Sequence, residues 1–472
     1  MSYRNIGIDL GVTAQHKVHV RDDQGQKVRS DLSIDTAKQA FDQTASHALY
    51  GAEPDTKLRW ICEPTGMSWF PLACYVKPRG YELVRVKTQM SCDLRKFYNK
   101  HNHSDSLDAK ALAQLPVVNQ DALEDLLLPD KHTFALDRRN RQYKKLTQQI
   151  AGIKTRIRDL FNWLQPGLIK VFSDPYGTRA RAYYRHFGNP FKVKELGLEK
   201  LTKFLADNGR QQMDRQLAQQ VWQIALQACE LYELADEYVD FDELQDEITV
   251  ELDVLESLET TRLTVKKAIE RLYDKVHPSK NIETIPGVGE KMGAALVAKI
   301  GDPHRFSSHT KLKGFTGIVP RLDDSGESSK KGLPISHEGP SDFRRDIYLV
   351  ADVARQWDVE AAKIYYDCMM EKGHCHTQAV CAVASHWLGR ILRVLKDGRP
   401  YEQRDLQGNA ITKKDAKKYI KLHLTVPEEV RQRTRNKKRI HDKFMAKRNR
   451  GLKKNRRKNS LTHFNNISFD LN

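Results

Sequence analysis

Residues 103–115 read HSDSLDAKALAQL and place Asp105 and Asp108 three residues apart. On a helix that spacing puts both acids on one face, where like charges repel by roughly 0.2–0.5 kcal/mol. A cation between them would remove the repulsion. Two further acids stand where a strand interior or a strand end is expected: Asp9 in YRNIGIDLG and Glu63 in WICEPTG. Acids in such places are costly unless they are paired or metal-bound. Hard oxygen ligands converging from separate elements suit one or two Mg²⁺ ions. Two such ions about 4 Å apart could activate an oxygen nucleophile and stabilise the leaving oxygen of a phosphodiester. The plainer account is surface acids, those on the helix complementing its N-terminal dipole.

A second group lies in GFTGIVPRLDDSGESSKKGLPISHEGPSDFRRD, residues 314–346. Ser325 sits in a loop rich in Gly, Ser and Asp, followed by Lys330, Lys331, His337, Arg344 and Arg345. A serine is a poor nucleophile until its proton is removed or its developing anion is stabilised. The cations here could hold a phosphate while a base activates the hydroxyl. A type I turn accounts for the Ser-Gly pair equally well. Ser328 and Ser329 stand close enough to compete for the same role.

These residues need a scaffold. Residues 3–22 alternate apolar and polar around a Gly-containing turn, which predicts a β-hairpin with Asp9 in its first strand. KLRWICEP and YELVRVKT are two more short apolar runs bounded by turn residues. A helix begins near Ser104, a suitable N-cap. Strands followed by helices in the first ~115 residues predict a compact α/β domain. From Leu136 the pattern changes: Leu136, Tyr143, Leu146, Ile150, Ile153, Ile157, Leu160 and Leu164 follow steps of three and four, with Arg139 the interruption. A second seam runs through Leu255, Leu258, Val265, Ile269, Leu272 and Val276. Together they predict an antiparallel helical hairpin or a dimer zipper. Residues 175–246 between them are mostly helical in pattern.

IETIPGVGEKMGAALVAKIGD follows, with the turn Pro286-Gly287-Val288-Gly289 between two expected helices. This helix-hairpin-helix signature predicts close approach of the backbone to a phosphate at Gly287 and Gly289. A simple helix-to-helix turn is the alternative.

Charge is unevenly distributed. The formal net charge is +18 in 472 residues, and residues 431–460 hold 15 lysines and arginines against one acid, Asp442. Such a block cannot bury enough apolar surface to fold alone. It reads as a solubilising tail or, with so few acids, as a nucleic-acid arm whose phosphate contacts release counterions; Lys437, Lys438, Arg439, Arg448, Lys453, Lys454, Arg456 and Arg457 would make them. Seven cysteines, an odd number, do not make a disulfide framework. Cys368, His374, Cys375, His376 and Cys381 cluster, but without paired C-x-x-C spacing, so thiols on a helix compete with a zinc site. No run of about 18 apolar residues and no signal-peptide pattern occurs, which points to a cytoplasmic, nucleoid-associated protein without a membrane span.

IGIDLG, CEPTG and HSDSLDAKALA, followed far downstream by IPGVG, FTGIVP, DSG and ISHEG, resemble the DEDD-type transposases of bacterial insertion sequences, bridge-RNA-guided serine recombinases. The motifs cover ~1–165 and ~280–400 in the family's order. The resemblance implies a RuvC-like, ribonuclease-H-like N-terminal domain in which Asp9, Glu63, Asp105 and Asp108 hold Mg²⁺. It implies Ser325 as a nucleophile forming a transient phosphoserine link to DNA, a homodimer or homotetramer that combines the two sites, and an element-encoded guide RNA pairing with donor and target DNA. His337 stands where the family often has Lys. The resulting fold class is α/β plus mostly α: a RuvC-like domain at 1–130, a helical coiled-coil region with an insertion at 131–277, a C-terminal catalytic domain containing the helix-hairpin-helix at 278–400, and a basic tail at 401–472. A two-metal hydrolytic nuclease of the Holliday-junction-resolvase type is the alternative, and a non-enzymatic nucleic-acid scaffold a third reading.

Overall fold

The computed structural model describes residues 2–64, 66–86, 88–98, 104–119, 123, 125–209, 215–235, 237–320, 324–325, 328–329 and 334–436, with the backbone alone at 88, 89, 95, 97, 98, 324, 325, 328 and 329. The chain divides into two units, Met1–Pro129 and Asp130–Asn472.

The first unit is α/β. Strands β1 (Tyr3–Asp9), β2 (His16–Arg21) and β3 (Leu32–Ile34) form an antiparallel meander, confirming the expected hairpin at 3–22. Helix α1 (Lys38–Ala48) then crosses over so that β4 (Lys57–Cys62) joins β1 in parallel, as a parallel partner requires. Helix α2 (Trp69–Val76) leads to β5 (Glu82–Arg85), and the sheet order is β3-β2-β1-β4-β5. Helices α3 (Thr88–Tyr98) and α4 (Asp105–Val118) follow. Alternation sorts the side chains. Ile6, Ile8, Leu58, Trp60 and Leu83 pack with Phe41 of α1 and Leu72 and Tyr75 of α2, while Ile61 and Val84 on the other face pack with Leu112 and Leu115 of α4.

The second unit is mostly helical. Helices α5 (Lys131–Leu164) and α10 (Phe241–Val276) carry the two seams. Leu136 and Leu146 share a core with Val265, Ile269 and Tyr273, while Ile150 to Leu164 share one with Ile248, Leu252 and Leu255. The helices therefore run antiparallel within one chain. Arg156 seals them with a two-pronged pair to Glu251 at 2.6 and 3.0 Å. Helices α6 (Thr178–His186), α7 (Pro190–Leu196), α8 (Leu198–Asp207) and α9 (Arg215–Leu231) fold around the distal end of this pair. Buried Gln245 of α10 stitches them, donating from Nε2 to the Tyr184 carbonyl at 2.8 Å and accepting from the Gly188 N–H.

The remaining helices are α11 (Glu290–Ile300), α12 (His309–Thr316), α13 (Ser341–Ala354), α14 (Val359–Met370), α15 (His376–Asp397) and α16 (Lys413–His423), gathered around buried Trp387 and Phe343. Residues 401–436 pack on these helices: the Tyr401 hydroxyl donates to Asp358 at 2.9 Å and Gln403 Nε2 to the Trp357 carbonyl at 2.7 Å. The helix expected before Pro286 is a single 3₁₀ turn, Asn281–Thr284. Cys368 is buried in the core, the His376 ring bonds the Tyr365 hydroxyl at 2.9 Å, and among the described residues no three His, Cys, Asp or Glu side chains form a metal-holding group. Among those residues no helix is long and apolar enough to cross a membrane.

Candidate active site

Strand register brings the first two acids together. Ile8 pairs with Cys62 in the parallel β1–β4 ladder, so Asp9 and Glu63 are the next positions along it, on strands about 4.8 Å apart. Gly7 and Ile61, two residues before each, face α4. By the two-residue alternation, Asp9 and Glu63 face that side too.

Contacts along α4 fix its direction. Gln114 and Val117 in its last turns lie against Gly25, just beyond β2. Ser106 and Lys110 in its first turns reach Asp31 at 3.5 and 3.8 Å, and Asp31 bonds His19, the partner of Gly7. Helix α4 therefore runs antiparallel to β1, and its first turn ends at the sheet edge that carries Asp9 and Glu63. Ser104 caps it, accepting from the Leu107 N–H at 3.3 Å. Asp105 and Asp108 thus project from a capped helix start whose dipole favours negative charge. Gly7 allows the close crossing: a Cβ there would stand 2.9 Å from Ala113 Cβ and nearer still to the Ala109 carbonyl oxygen.

All four acids lie at one edge of the sheet. Four carboxylates from three elements are the donor chemistry that a hard divalent cation takes. As placed, no three of them form a ligand set, and Glu63 accepts a hydrogen bond from Ser91 Oγ. Drawing them closer costs mutual repulsion that a cation would offset.

Sequence reasoning missed two residues beside Asp9. Buried His16 accepts the Gly11 N–H on Nδ1 at 3.1 Å, which leaves Nε2 to donate to Thr36 Oγ1 at 2.8 Å. Ser68 Oγ donates to the Gly11 carbonyl at 3.1 Å. The turn after Asp9 is clamped on both sides of one residue. Burial holds the His16 ring below the ordinary histidine range, against a smaller opposing pull from Asp35. A lone histidine opening a strand gave no sign of this bond to a neighbouring turn.

The serine lies in a hairpin. Strands β6 (Asp324–Ser325) and β7 (Ser328–Ser329) pair antiparallel with Ser325 opposite Ser328. The hairpin's base is pinned. Pro320 pairs with Ile335, the Ser336 N–H donates to the Val319 carbonyl, and the His337 N–H donates to the Gly317 carbonyl. Gly317 has φ +67°, and a Cβ on it would meet the Gly339 nitrogen at 2.7 Å, so the two glycines let FTG and HEG lie backbone to backbone. Arg344 holds the joint, donating to the Thr316 and Gly339 carbonyls at 3.2 Å each. His337 takes φ +60°, strained for a residue with a side chain.

The expected phosphate contacts divide. Arg344 is engaged with backbone carbonyls, and Arg345 pairs with Asp346 at 2.8 Å. Gly287, expected to let a phosphate approach, takes φ +90° and packs on the Val350 carbonyl, an internal requirement; a Cβ on Gly289 would meet open space at the start of α11. Lys330, Lys331, Lys437, Lys438, Arg439, Arg448, Lys453, Lys454, Arg456 and Arg457 lie outside the described residues.

Comparison with known proteins divides the chain in the same way. Residues 6–166, which contain the four acids, match the family model of the IS110-type DEDD transposase, described as a transposase. Residues 279–367, which contain Ser325, match the model described as transposase IS116/IS110/IS902 family. An uncharacterized protein of insertion element IS110 from Streptomyces coelicolor is 24% identical over 416 residues, covering 84% of this chain and 95% of that protein. The pilin gene-inverting protein of Moraxella bovis is 28% identical over 128 residues, 27% of this chain and 40% of that protein. A protein of insertion element IS900 from Mycobacterium paratuberculosis is 32% identical over 134 residues, 28% of this chain and 33% of its own length.

Proposed function

The chain belongs to the IS116/IS110/IS902 family of transposases, enzymes that cut and rejoin DNA, and we propose that it does so by attack of the Ser325 hydroxyl with Mg²⁺ held at the acid edge of its first unit. The observation that carries this reading is the placement of Asp9 and Glu63 side by side on parallel strands, under a helix whose first turn brings Asp105 and Asp108. That mixed sheet with acids at its edge also supports a RuvC-like assignment for the unit. Bound there, Mg²⁺ would supply positive charge to the attacking and leaving oxygens.

The serine step balances without a further reagent. Ser325 Oγ gives up its proton, an Oγ–P bond forms, and the bond from phosphorus to a deoxyribose oxygen breaks, that oxygen taking up a proton. A strand hydroxyl from the second DNA then displaces the serine, restoring a phosphodiester. Lys330, Lys331 and Arg345 would hold the phosphate. Arg344 acts by positioning, since it ties down the base of the hairpin. The Gly289 start of α11 and the basic tail would follow the duplex backbone.

Sequence specificity we assign to a guide RNA pairing with donor and target DNA, and the complete site to a dimer or tetramer that brings one subunit's acids to another's serine. The long antiparallel pair of α5 and α10 is the element we read as coiled coil. The hydrolytic junction-resolvase alternative is set aside, because the relatives are insertion-element and gene-inverting proteins.

The test is to react the full chain with element-end DNA and resolve the products on denaturing gels. Covalent protein–DNA adducts should form with Mg²⁺ and disappear in Ser325→Ala and Asp9→Asn, with peptide mapping placing the phosphate on Ser325. Free DNA ends without adducts, or a phosphate on Ser328 or Ser329, would overturn the assignment. Sequencing RNA that co-purifies with the protein tests the guide.

A further inference from the structure

A cavity of about 400 Å³ opens in the second unit where the C-terminus of α13, the middle of α14 and the start of α15 meet the segment leading into the basic tail. Three arginines line it, Arg355, Arg431 and Arg435, and no carboxylate does. Only one of the three is visibly compensated: Arg355 pairs with Asp352 at 2.7 Å and lies over the Tyr365 ring at 4.4 Å. Arg431 Nε is enclosed without a hydrogen-bond partner among the described residues. An enclosed guanidinium N–H without an acceptor is costly, and an anionic oxygen would satisfy it.

A second source of donors points into the same space. His376 and Thr377 line the cavity and open α15, a 22-residue helix. Its first intrahelical bond is from the Ala379 N–H to the Cys375 carbonyl at 3.0 Å, so the earlier N–H groups lack helical acceptors. The His376 ring is oriented by the Tyr365 hydroxyl at 2.9 Å. The surroundings are thus cationic on one side and rich in backbone N–H groups on the other, which is the environment of a phosphate. The chain's own tail, with its run of lysines and arginines, has the wrong charge to fill it.

We propose that this cavity binds a phosphate group, seated between Arg431, Arg435 and the N-terminus of α15. Phosphate could arrive as part of a nucleic-acid backbone or as a free anion. The site does not depend on the strand-exchange reading above, and its test requires no catalysis.

Cys375 lines the cavity and is partly exposed, whereas Cys74 is exposed in the other unit. Alkylation of each thiol by iodoacetamide, followed by peptide mass spectrometry on the full chain, reports occupancy directly. At matched ionic strength, a 12-nucleotide single-stranded DNA and inorganic phosphate serve as separate probes. Protection of Cys375 relative to Cys74 by the DNA supports a backbone phosphate; protection by inorganic phosphate alone supports a free anion. Arg431→Gln should weaken the protecting probe about tenfold or more. Arg435→Gln, at an exposed position that leaves the fold intact, should do likewise, and Arg433→Gln, outside the cavity on the same segment, should not. No protection by either probe, or protection undiminished in both cavity variants, overturns the proposal.

Discussion

Gly7→Ala tests the crossing on which the acid edge depends. A Cβ at this position would stand 2.9 Å from Ala113 Cβ, whereas carbon atoms in ordinary contact are about 3.5–4.0 Å apart. Strand and helix must therefore part by roughly 0.6–1.1 Å from this pair alone, and the Ala109 carbonyl oxygen and Ala113 nitrogen, closer still, demand more. Both sides are backbone or Cβ, so no rotamer change relieves the clash. Overpacking of this kind costs about 1–3 kcal/mol, a fall in melting temperature of roughly 5–15 °C for a domain of this size. The same displacement carries Asp105 and Asp108 away from Asp9 and Glu63, and a misplacement near 1 Å can cost about a hundredfold in rate. The assay is differential scanning calorimetry beside adduct yield on element-end DNA. Gly152→Ala is the contrast: this glycine lies inside α5 with nothing within 4 Å of a new Cβ, so it should raise stability by about 0.5–1 kcal/mol. If Gly7→Ala melts with the wild type and keeps its adduct yield, α4 does not cross β1 as described.

Three further outcomes are expected. Because burial lowers the folded-state pKa of His16 and of His19, the unfolded chain takes up protons more readily as pH falls below about 6.5, so stability is lost on acidification; urea midpoints at pH 7.5 and 5.5 should show the decline, shallower in His16→Gln, and a flat profile would contradict it. Arg344→Ala leaves the Thr316 and Gly339 carbonyls without their donor, so hydrogen exchange at the Ser336 and His337 amides, which donate across the pinned base, should quicken and adduct yield fall, with about 1–3 kcal/mol of stability forfeited; unchanged exchange would show that the joint holds without it. Deleting residues 437–472, which leaves the packed segment through Asn436 intact, should weaken nucleic-acid affinity and reduce the log–log salt slope by about one for each phosphate that the tail neutralises, whereas an unchanged slope would remove the tail from binding.

Periodicity made the helical seams legible, because a buried stripe on a long helix repeats in the sequence whatever it packs against. Leu136, Ile157 and Leu164 are buried on α5 as their spacing requires. The cap at Ser104 was legible for a similar local reason. The partner of each seam was not, since a heptad stripe serves a second copy as well as its own chain. The direction of α4 was hidden as well, because it rests on Ser106, Lys110 and Gln114 meeting residues some 75 to 90 positions away. Glycines and arginines were the most ambiguous. Gly287 and Arg344 read as phosphate contacts by type, yet each satisfies a neighbouring backbone group. The 3₁₀ turn at Asn281–Thr284 looked helical because a single turn shares the first few residues of a helical pattern.

The pairing of α5 with α10 has a mechanical consequence. Its two ends are embedded in different cores, and Leu258 packs against both. At 1.5 Å per residue, the 34 residues of α5 span about 51 Å, so the pair is a stiff beam between two anchored masses. A tilt of about ten degrees at the proximal end sweeps the distal end through roughly 9 Å, between two and three base-pair steps of a duplex. Small rotations among the helices around Trp387 would thus be geared up into large displacements of the helices around Tyr183.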